Sequence, residues 1–244
     1  MSQLPLNINL EKGTVLLVNK PLEWTSFDVV NKIKMIVIRW LHKHLPKEDA
    51  KKIKPKIGHA GTLDPLATGL LIVCIGKETK NIEKYMAAEK EYTGTFYLGN
   101  TTPSFDNETT PDFFFETNHV TDDLIYQTAK SLTGELKQVP PVFSAIKKDG
   151  KRAYQSARAG EELQLEPRSI LIKEFEITKI EMPLVYFRIV CSKGTYIRAI
   201  ARDFGMALKS GAYLNSLCRT RIGEYSLKDA IGMDKIIESF EGNN

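Results

Sequence analysis

One short apolar run limits what this chain can fold into. Residues 70–75, "LLIVCI", lie between two glycines and carry no charged side chain. The run is far too short to cross a bilayer, which takes roughly 20 apolar residues in a helix. An unbroken run of this length instead fits a strand that is buried on both faces of a sheet. The loop before it, "GHAGTLDPLATG" (residues 58–69), is rich in glycine and carries a single carboxylate, Asp64.

Strand and helix patterns are interspersed along the rest of the chain. Alternation and apolar runs predict strands at residues 13–21, 70–75, 90–99 and 185–191. Helical spacing and capping residues predict helices at residues 24–46, 121–134 and 196–211. Because strands and helices do not alternate strictly, the predicted fold class is α/β (α+β), with one mixed sheet flanked by helices.

Local patterns refine three segments. In the first helix, Thr25 or Ser26 can cap the first amides. One apolar face of that helix is predicted to hold Phe27, Val30, Ile33, Val37 and Trp40. Residues 47–56, "KEDAKKIKPK", are predicted to form a charged loop. Residues 134–165 mix prolines, basic residues and aromatics without a period, and they are interpreted as a protruding insert.

Cysteine and histidine usage excludes several classes of protein. The three cysteines are far apart without a Cys-x-x-Cys pair, and the four histidines lack partners for a zinc site, so no metal is expected. P-loop and dinucleotide fingerprints are also missing. The amino terminus lacks the basic and apolar regions of a signal peptide, which predicts a cytoplasmic protein.

The charges are unevenly distributed along the chain. Residues 32–59 hold nine Lys or Arg against two acids, and residues 192–222 hold six against one. Residues 100–127 hold six acids and no Lys or Arg. Basic clusters of this kind suit the phosphate backbone of a nucleic acid, although a charge run is also common on a merely solvated face.

Asp64 is open to two interpretations. An aspartate before a proline in a glycine-rich loop is commonly a turn former. A loop between a basic surface and a buried strand is also a typical place for a site residue on a rigid scaffold. A single carboxylate suits cleavage of the bond from ribose to a uracil nitrogen, because the departing uracil anion is delocalised and needs less acid than an alkoxide. A neighbouring cation would keep Asp64 ionised, and Arg198 is the candidate.

Six segments in consistent order resemble the TruB family of tRNA pseudouridine synthases over residues 12–230. They are "NKPLEWTS", "GHAGTLDPLATG", "KEYTGTFYLG", "QVPPVFSAIKKDGKRAYQSAR", "CSKGTYIRAIARDFG" and "LCRTRIGEYSL". The resemblance implies the pseudouridine synthase fold, a mixed and mostly antiparallel sheet flanked by helices and loops. An insertion at about residues 134–160 would be a thumb that grips RNA. The implied activity is isomerisation of uridine to pseudouridine at position 55 in the T loop of tRNA, without a metal or organic cofactor.

The resemblance also implies roles for individual residues. Asp64 matches the catalytic nucleophile, Arg198 matches the arginine paired with it, and Tyr92 matches the aromatic that stacks on the flipped base. Four further positions match residues that contact the substrate or support the pocket: Lys20, His59, Tyr196 and Leu217. Ordinary structural roles stay open for three of these seven residues. They are strand packing for Tyr92, core packing for Leu217 and helix-end packing for Tyr196.

The expected organisation is a catalytic domain over residues 1–235 and a tail over residues 236–244. The segment after "RIGEYSL", residues 228–244, is expected to pack as a final helix. The chain is expected to lack the PUA domain of many bacterial relatives, and to act as a monomer on the T stem-loop of tRNA without contacting a membrane. Two alternatives stay open. One is a non-catalytic protein that binds or folds tRNA, and the other is a pseudouridine synthase that acts on ribosomal or another RNA.

Overall fold

The computed structural model describes residues 4–143, 147–148, 151–152 and 165–241. The chain divides into two units, of which the first comprises residues 1–90 and 218–244 and the second residues 91–217. No helix in the described part of the chain is both long enough and apolar enough to cross a membrane.

Most of the described residues lie in strands and helices. The strands are β1 (Thr14–Lys20), β2 (Ile57–His59), β3 (Ala67–Ile75), β4 (Lys90–Leu98), β5 (Asn100–Thr101), β6 (Phe113–Phe114), β7 (Gly134–Gln138), β8 (Lys147–Lys148), β9 (Lys151–Arg152), β10 (Arg168–Glu181), β11 (Leu184–Cys191), β12 (Ala212–Ile222), β13 (Tyr225–Ser226) and β14 (Ile231–Gly232). The α-helices are α1 (Ser26–His44), α2 (Lys47–Lys52), α3 (Ile82–Ala87), α4 (Asp122–Ser131), α5 (Ile197–Ala207) and α6 (Met233–Glu241). Short 3-10 helices cover Pro5–Asn7, Gly76–Asn81 and Leu227–Asp229.

Strand β3 organises the first unit. It pairs antiparallel with both β1 and β2, and β1 pairs in parallel with β14. Leu71, Val73 and Ile75 of β3 join one apolar cluster together with β1, α1 and α6, whereas the alternate residues Leu70 and Ile72 join a second cluster. Both faces of β3 are therefore buried, which confirms the strand predicted from the apolar run.

Helix α1 begins at a capping box. The Thr25 hydroxyl accepts the Asp28 N–H, and the Asp28 carboxylate accepts the Thr25 N–H. The predicted apolar face is confirmed for four of its five members, which are buried, but it is wrong for Phe27, which is 68% exposed. Ser26 takes the inward position of the first turn in its place, because its hydroxyl is bonded to the backbone of Leu63.

The charged loop predicted after α1 is partly wrong. Residues Lys47–Lys52 form the helix α2, with Glu48 and Asp49 in its first turn and Lys51 and Lys52 in its last. This order of charges matches the helix dipole, and ion pairs three residues apart join the two turns. The sequence analysis missed this helix, although the order of its charges, acids first and lysines last, was a signal for it.

The second unit has its own aromatic core. Strand β10 pairs antiparallel with both β11 and β7. Four rings pack together from β4, β10, β11 and α5, namely Phe96, Phe175, Phe187 and Phe204. The predicted strands at 90–99 and 185–191 correspond to β4 and β11, and the two predicted helices correspond to α4 and α5, each shorter than predicted. Strand β10 was missed by the sequence analysis.

The predicted insert begins later than expected. Residues 134–138 are strand β7 and pair with β10, so the interpretation as a protruding segment is wrong for them. Residues 144–146, 149–150 and 153–164 lie outside the described residues, and the RNA-gripping thumb stays a prediction. Helix α6 begins at Met233 and provides the predicted final helix, while the domain division at residue 235 and the monomeric state stay predictions.

Candidate active site

The loop that carries Asp64 is held by a buried arginine that the sequence analysis did not single out. The loop joins β2 to β3, and Asp64 is partly buried in it. Arg219, only 1% exposed, donates from Nη2 to the Gly61 carbonyl at 3.0 Å and from Nε to the Leu70 carbonyl at 2.8 Å. A single guanidinium therefore ties the start of the loop to the strand that follows it.

Gly69 lets the chain pass close to Arg219. Its φ is +100°, in the region that favours glycine, and a Cβ added there would lie 2.4 Å from the Arg219 carbonyl oxygen. No side chain fits at that distance, so β3 meets residues 218–222, the part of β12 that belongs to the first unit, backbone to backbone at this point. The glycine is therefore required for the position of Arg219.

A second buried cation supports the loop from the other side of Asp64. The Lys20 side chain is 0% exposed, and its Nζ donates to the carbonyls of Pro21 at 2.8 Å, Trp24 at 2.6 Å and Pro65 at 3.3 Å. The Glu23 N–H donates to the same Pro65 carbonyl at 2.9 Å. Residue 65, directly after Asp64, is thus bonded to the segment that follows β1.

The local electrostatics reflect this concentration of positive charge. Burial, and then the Arg219 guanidinium, lower the pKa of Lys20 to about 8, against the opposing effect of the Asp64 carboxylate. Burial and the same guanidinium also lower the pKa of His59 below its ordinary value. His59 is therefore a neutral imidazole at neutral pH. Its Nδ1 is buried and has no hydrogen-bond partner among the described residues.

The low pKa of Lys20 predicts a pH-dependent stability. Between pH 8 and the ordinary lysine value of 10.5 the unfolded chain binds the proton more fully than the folded chain. The free energy of unfolding should therefore rise with pH through this window and fall as the pH drops towards 8. Across this window the free energy of unfolding of the wild type should increase by about 3 kcal/mol relative to that of Lys20→Met. Urea unfolding of both proteins at pH 7.5, 9 and 10.5 tests this, and a constant difference between them would contradict it.

The second unit holds Arg198, the predicted partner of Asp64. Arg198 is buried at the start of α5, with its Nε 3.5 Å from Asp106 Oδ2. It also donates to the carbonyls of Ser104 at 3.3 Å and Phe143 at 2.9 Å. Asp106 was missed because nothing distinguishes it in sequence from the other acids of residues 100–127. Removing one partner of such a buried pair leaves an uncompensated charge, so the two residues are expected to be structurally interdependent.

The remaining predicted residues of the second unit lie on three elements. Tyr92 is buried on β4, Leu217 is partly buried on β12, and Tyr196 precedes the first turn of α5. The buried side chain of Gln138 bonds both backbone groups of Tyr196. Its Oε1 accepts the Tyr196 N–H at 2.9 Å and its Nε2 donates to the Tyr196 carbonyl at 3.2 Å. Gln138 is a further residue that the sequence analysis missed.

The predicted site residues thus fall into two sets. Lys20, His59 and Asp64 lie in the first unit, where Lys20 and Asp64 interact electrostatically. The other four, Tyr92, Tyr196, Arg198 and Leu217, lie in the second. The pairing of Asp64 with Arg198 and the individual roles stay predictions. In the described part of the chain, no three His, Cys, Asp or Glu side chains are grouped so that they could hold a metal ion.

Comparison with known proteins gives consistent matches. The family described as "TruB family pseudouridylate synthase (N terminal domain)" matches residues 48–197. A protein named tRNA pseudouridine synthase B from Flavobacterium johnsoniae is 54% identical over 230 residues, which cover 94% of this chain and 97% of that protein. The protein of the same name from Phocaeicola vulgatus is 49% identical over 231 residues, covering 95% of this chain and 94% of that protein.

Solved structures show the same fold. A chain from the crystal structure of a Cbf5-Nop10-Gar1 complex matches with a TM-score of 0.69 and 29% identity, covering 94% of this chain and 54% of that chain. A chain from the structure of an H/ACA RNP bound to a substrate RNA containing 2'-deoxyuridine matches with a TM-score of 0.64 and 27% identity, covering 92% of this chain and 52% of that chain. These matches confirm the predicted family resemblance and fold class.

Proposed function

This chain belongs to the TruB family of pseudouridylate synthases, and on that premise we propose that it isomerises one uridine of tRNA to pseudouridine, at position 55 in the T loop. Relatives named tRNA pseudouridine synthase B match it over nearly their whole length, which supports tRNA as the substrate. The basic clusters in the sequence suit the phosphates of such a partner.

Base flipping is the first step of the proposed reaction. A uridine stacked in an RNA loop is out of reach until it is turned out, which costs a few kcal/mol. An aromatic platform such as Tyr92 would return roughly 1–3 kcal/mol by stacking on the base. The side chains of His59 and Tyr196 would contact the flipped nucleotide, and Leu217 would form an apolar wall.

Asp64 is the proposed nucleophile. Its carboxylate attacks the target nucleotide, either at the sugar carbon with expulsion of uracil or at the base ring. In either case the bond from the ribose carbon to the uracil nitrogen breaks, the uracil rotates, and a new bond forms from the same ribose carbon to a ring carbon. That ring carbon loses its hydrogen as a proton, the freed ring nitrogen takes up a proton, and Asp64 is released. Since substrate and product are isomers, the reaction neither gains nor loses atoms and needs no oxidant or reductant. Arg198 would pair with the carboxylate and hold it in place.

One observation carries the assignment of Asp64. Its loop is held by two buried cationic side chains, with Arg219 bonded to Gly61 and Lys20 bonded to Pro65. Positive charge on both sides of the loop favours the negative charge that develops on departing uracil.

Site mapping on a defined RNA tests the proposal. The purified protein is incubated with an unmodified tRNA transcript, and pseudouridine is mapped by position. We expect modification at position 55 alone, and no modification of a control transcript that carries cytidine there. Pseudouridine at other positions or only in ribosomal transcripts would favour the alternative synthase, and binding without any product would favour the non-catalytic protein.

The stacking role of Tyr92 predicts a graded effect of substitution. Tyr92→Phe keeps the ring and should retain activity within about fivefold, whereas Tyr92→Leu loses the platform and should lose about 10- to 100-fold. Single-turnover rates of pseudouridine formation with saturating tRNA measure both. An equal loss of rate in the two variants would show that the reaction depends on the Tyr92 hydroxyl and not on the face of the ring.

A further inference from the structure

Two neighbouring residues at the start of α1, Thr25 and Ser26, use their hydroxyl groups for different hydrogen bonds. Thr25 caps the helix, since its Oγ1 accepts the Asp28 N–H at 3.0 Å. Ser26 is only 1% exposed, and its hydroxyl is bonded far along the chain. Its Oγ accepts the Leu63 N–H at 2.8 Å and donates to the Leu63 carbonyl at 3.2 Å. Ser26 therefore bonds both backbone groups of the residue directly before Asp64.

The loop is anchored at every second residue around Asp64. The Gly61 carbonyl accepts from Arg219, both backbone groups of Leu63 are bonded to Ser26, and the Pro65 carbonyl accepts from Glu23 and Lys20. The carbonyl of Asp64 itself accepts the Ala67 N–H at 3.0 Å. Residues 63 and 65, on either side of Asp64, are thus both attached to the segment of residues 20–26.

We propose that Ser26 is a positioning residue for the reaction, which fixes the backbone of Asp64 so that its carboxylate meets the flipped nucleotide in one geometry. The inference rests on the proposed role of Asp64 as nucleophile. A reacting group must be held within about 0.5 Å of its productive position, and a misplacement of about 1 Å can cost on the order of 100-fold in rate. Without the Ser26 hydroxyl, two buried polar groups of Leu63 lose their partner, and the loop must move to satisfy them.

The test compares Ser26→Ala with Thr25→Ala in the full chain. For Ser26→Ala we expect the single-turnover rate at saturating tRNA to fall by about 100-fold, with the Kd for tRNA within about twofold of wild type. For Thr25→Ala we expect a lower unfolding temperature, because the helix cap is lost, but a rate within about twofold of wild type. Each variant lacks one hydroxyl group, and the two residues are adjacent. A general loss of stability should therefore affect both variants, whereas displacement of Asp64 should affect only Ser26→Ala.

The outcomes separate the inference from the function on which it rests. If the wild type forms no pseudouridine, the proposed function fails. If the wild type is active and Ser26→Ala keeps its rate, or if Thr25→Ala loses the same factor, Ser26 has only a structural role. Should Ser26→Ala fail to fold, Ser26→Cys keeps the shape with a weaker hydrogen-bonding group, and its rate should fall by about tenfold at unchanged Kd. A folded Ser26→Cys at full rate would overturn the inference.

Discussion

Replacing Asp64 by asparagine is expected to abolish pseudouridine formation, with a loss on the order of 10⁴-fold or more, while the Kd for tRNA stays nearly unchanged. The amide has almost the shape of the carboxylate but is not a nucleophile of comparable strength. The bonds that anchor the loop at Gly61, Leu63 and Pro65 use backbone groups and are retained. Single-turnover assays, filter binding with unmodified tRNA and thermal unfolding together measure the three quantities.

A surface substitution serves as the control for this experiment. Asp229 is an exposed aspartate of the same unit, and Asp229→Asn should match wild type in rate, binding and unfolding temperature. If Asp64→Asn instead loses binding and activity by the same factor, or lowers the unfolding temperature by many degrees, the aspartate is a structural turn former. Full activity of Asp64→Asn would remove this residue from the mechanism.

Replacing Gly69 by alanine is expected to destabilise the protein by about 4 kcal/mol. The substitution forces a side chain into a φ of +100°. It also places the new Cβ 2.4 Å from the backbone carbonyl oxygen of Arg219 and 2.7 Å from the backbone nitrogen of Arg219. Unfavourable dihedrals cost about 1–3 kcal/mol, and overpacking against a backbone that cannot move aside costs a similar amount. Urea unfolding at neutral pH measures the loss.

Gly134 is the matched control for this prediction. Its φ is +110°, but no atom of the described residues lies within 4 Å of an added Cβ. Gly134→Ala should therefore cost only the dihedral term, about 1–2 kcal/mol. Equal losses for the two substitutions would show that the close contact with Arg219 contributes nothing, and that the backbone angle alone explains both.

The sequence predicted the parts of the fold that rest on local patterns. Three patterns could be read over a short stretch of sequence: the apolar run of β3, the alternation of β4 and β11, and the spacing of apolar residues in α1. The errors arose where local pattern and tertiary contact disagree. Phe27 fits the helical period but is exposed, because the hydroxyl of Ser26 occupies the inward position. Strand β7 lacks a clear period and is ordered by its pairing with β10.

The candidate site shows the same division. The loop context singled out Asp64, with Arg198 as its candidate partner, and motif order identified the family and the role of Tyr92, because these residue types recur in fixed local contexts. The residues that position the site were not visible in this way. Ser26 meets Leu63 across 37 positions of the chain, and Arg219 meets Leu70 across 149.

By itself, then, the sequence determined the family, the central strand and the loop that carries Asp64. Only the tertiary structure decided that buried cations and a serine hydroxyl hold that loop at alternate residues. The physical reason is that a hydrogen bond to a backbone carbonyl depends on where the chain returns in space. A carbonyl is present on every residue, so no residue type along the chain marks which one will be the acceptor.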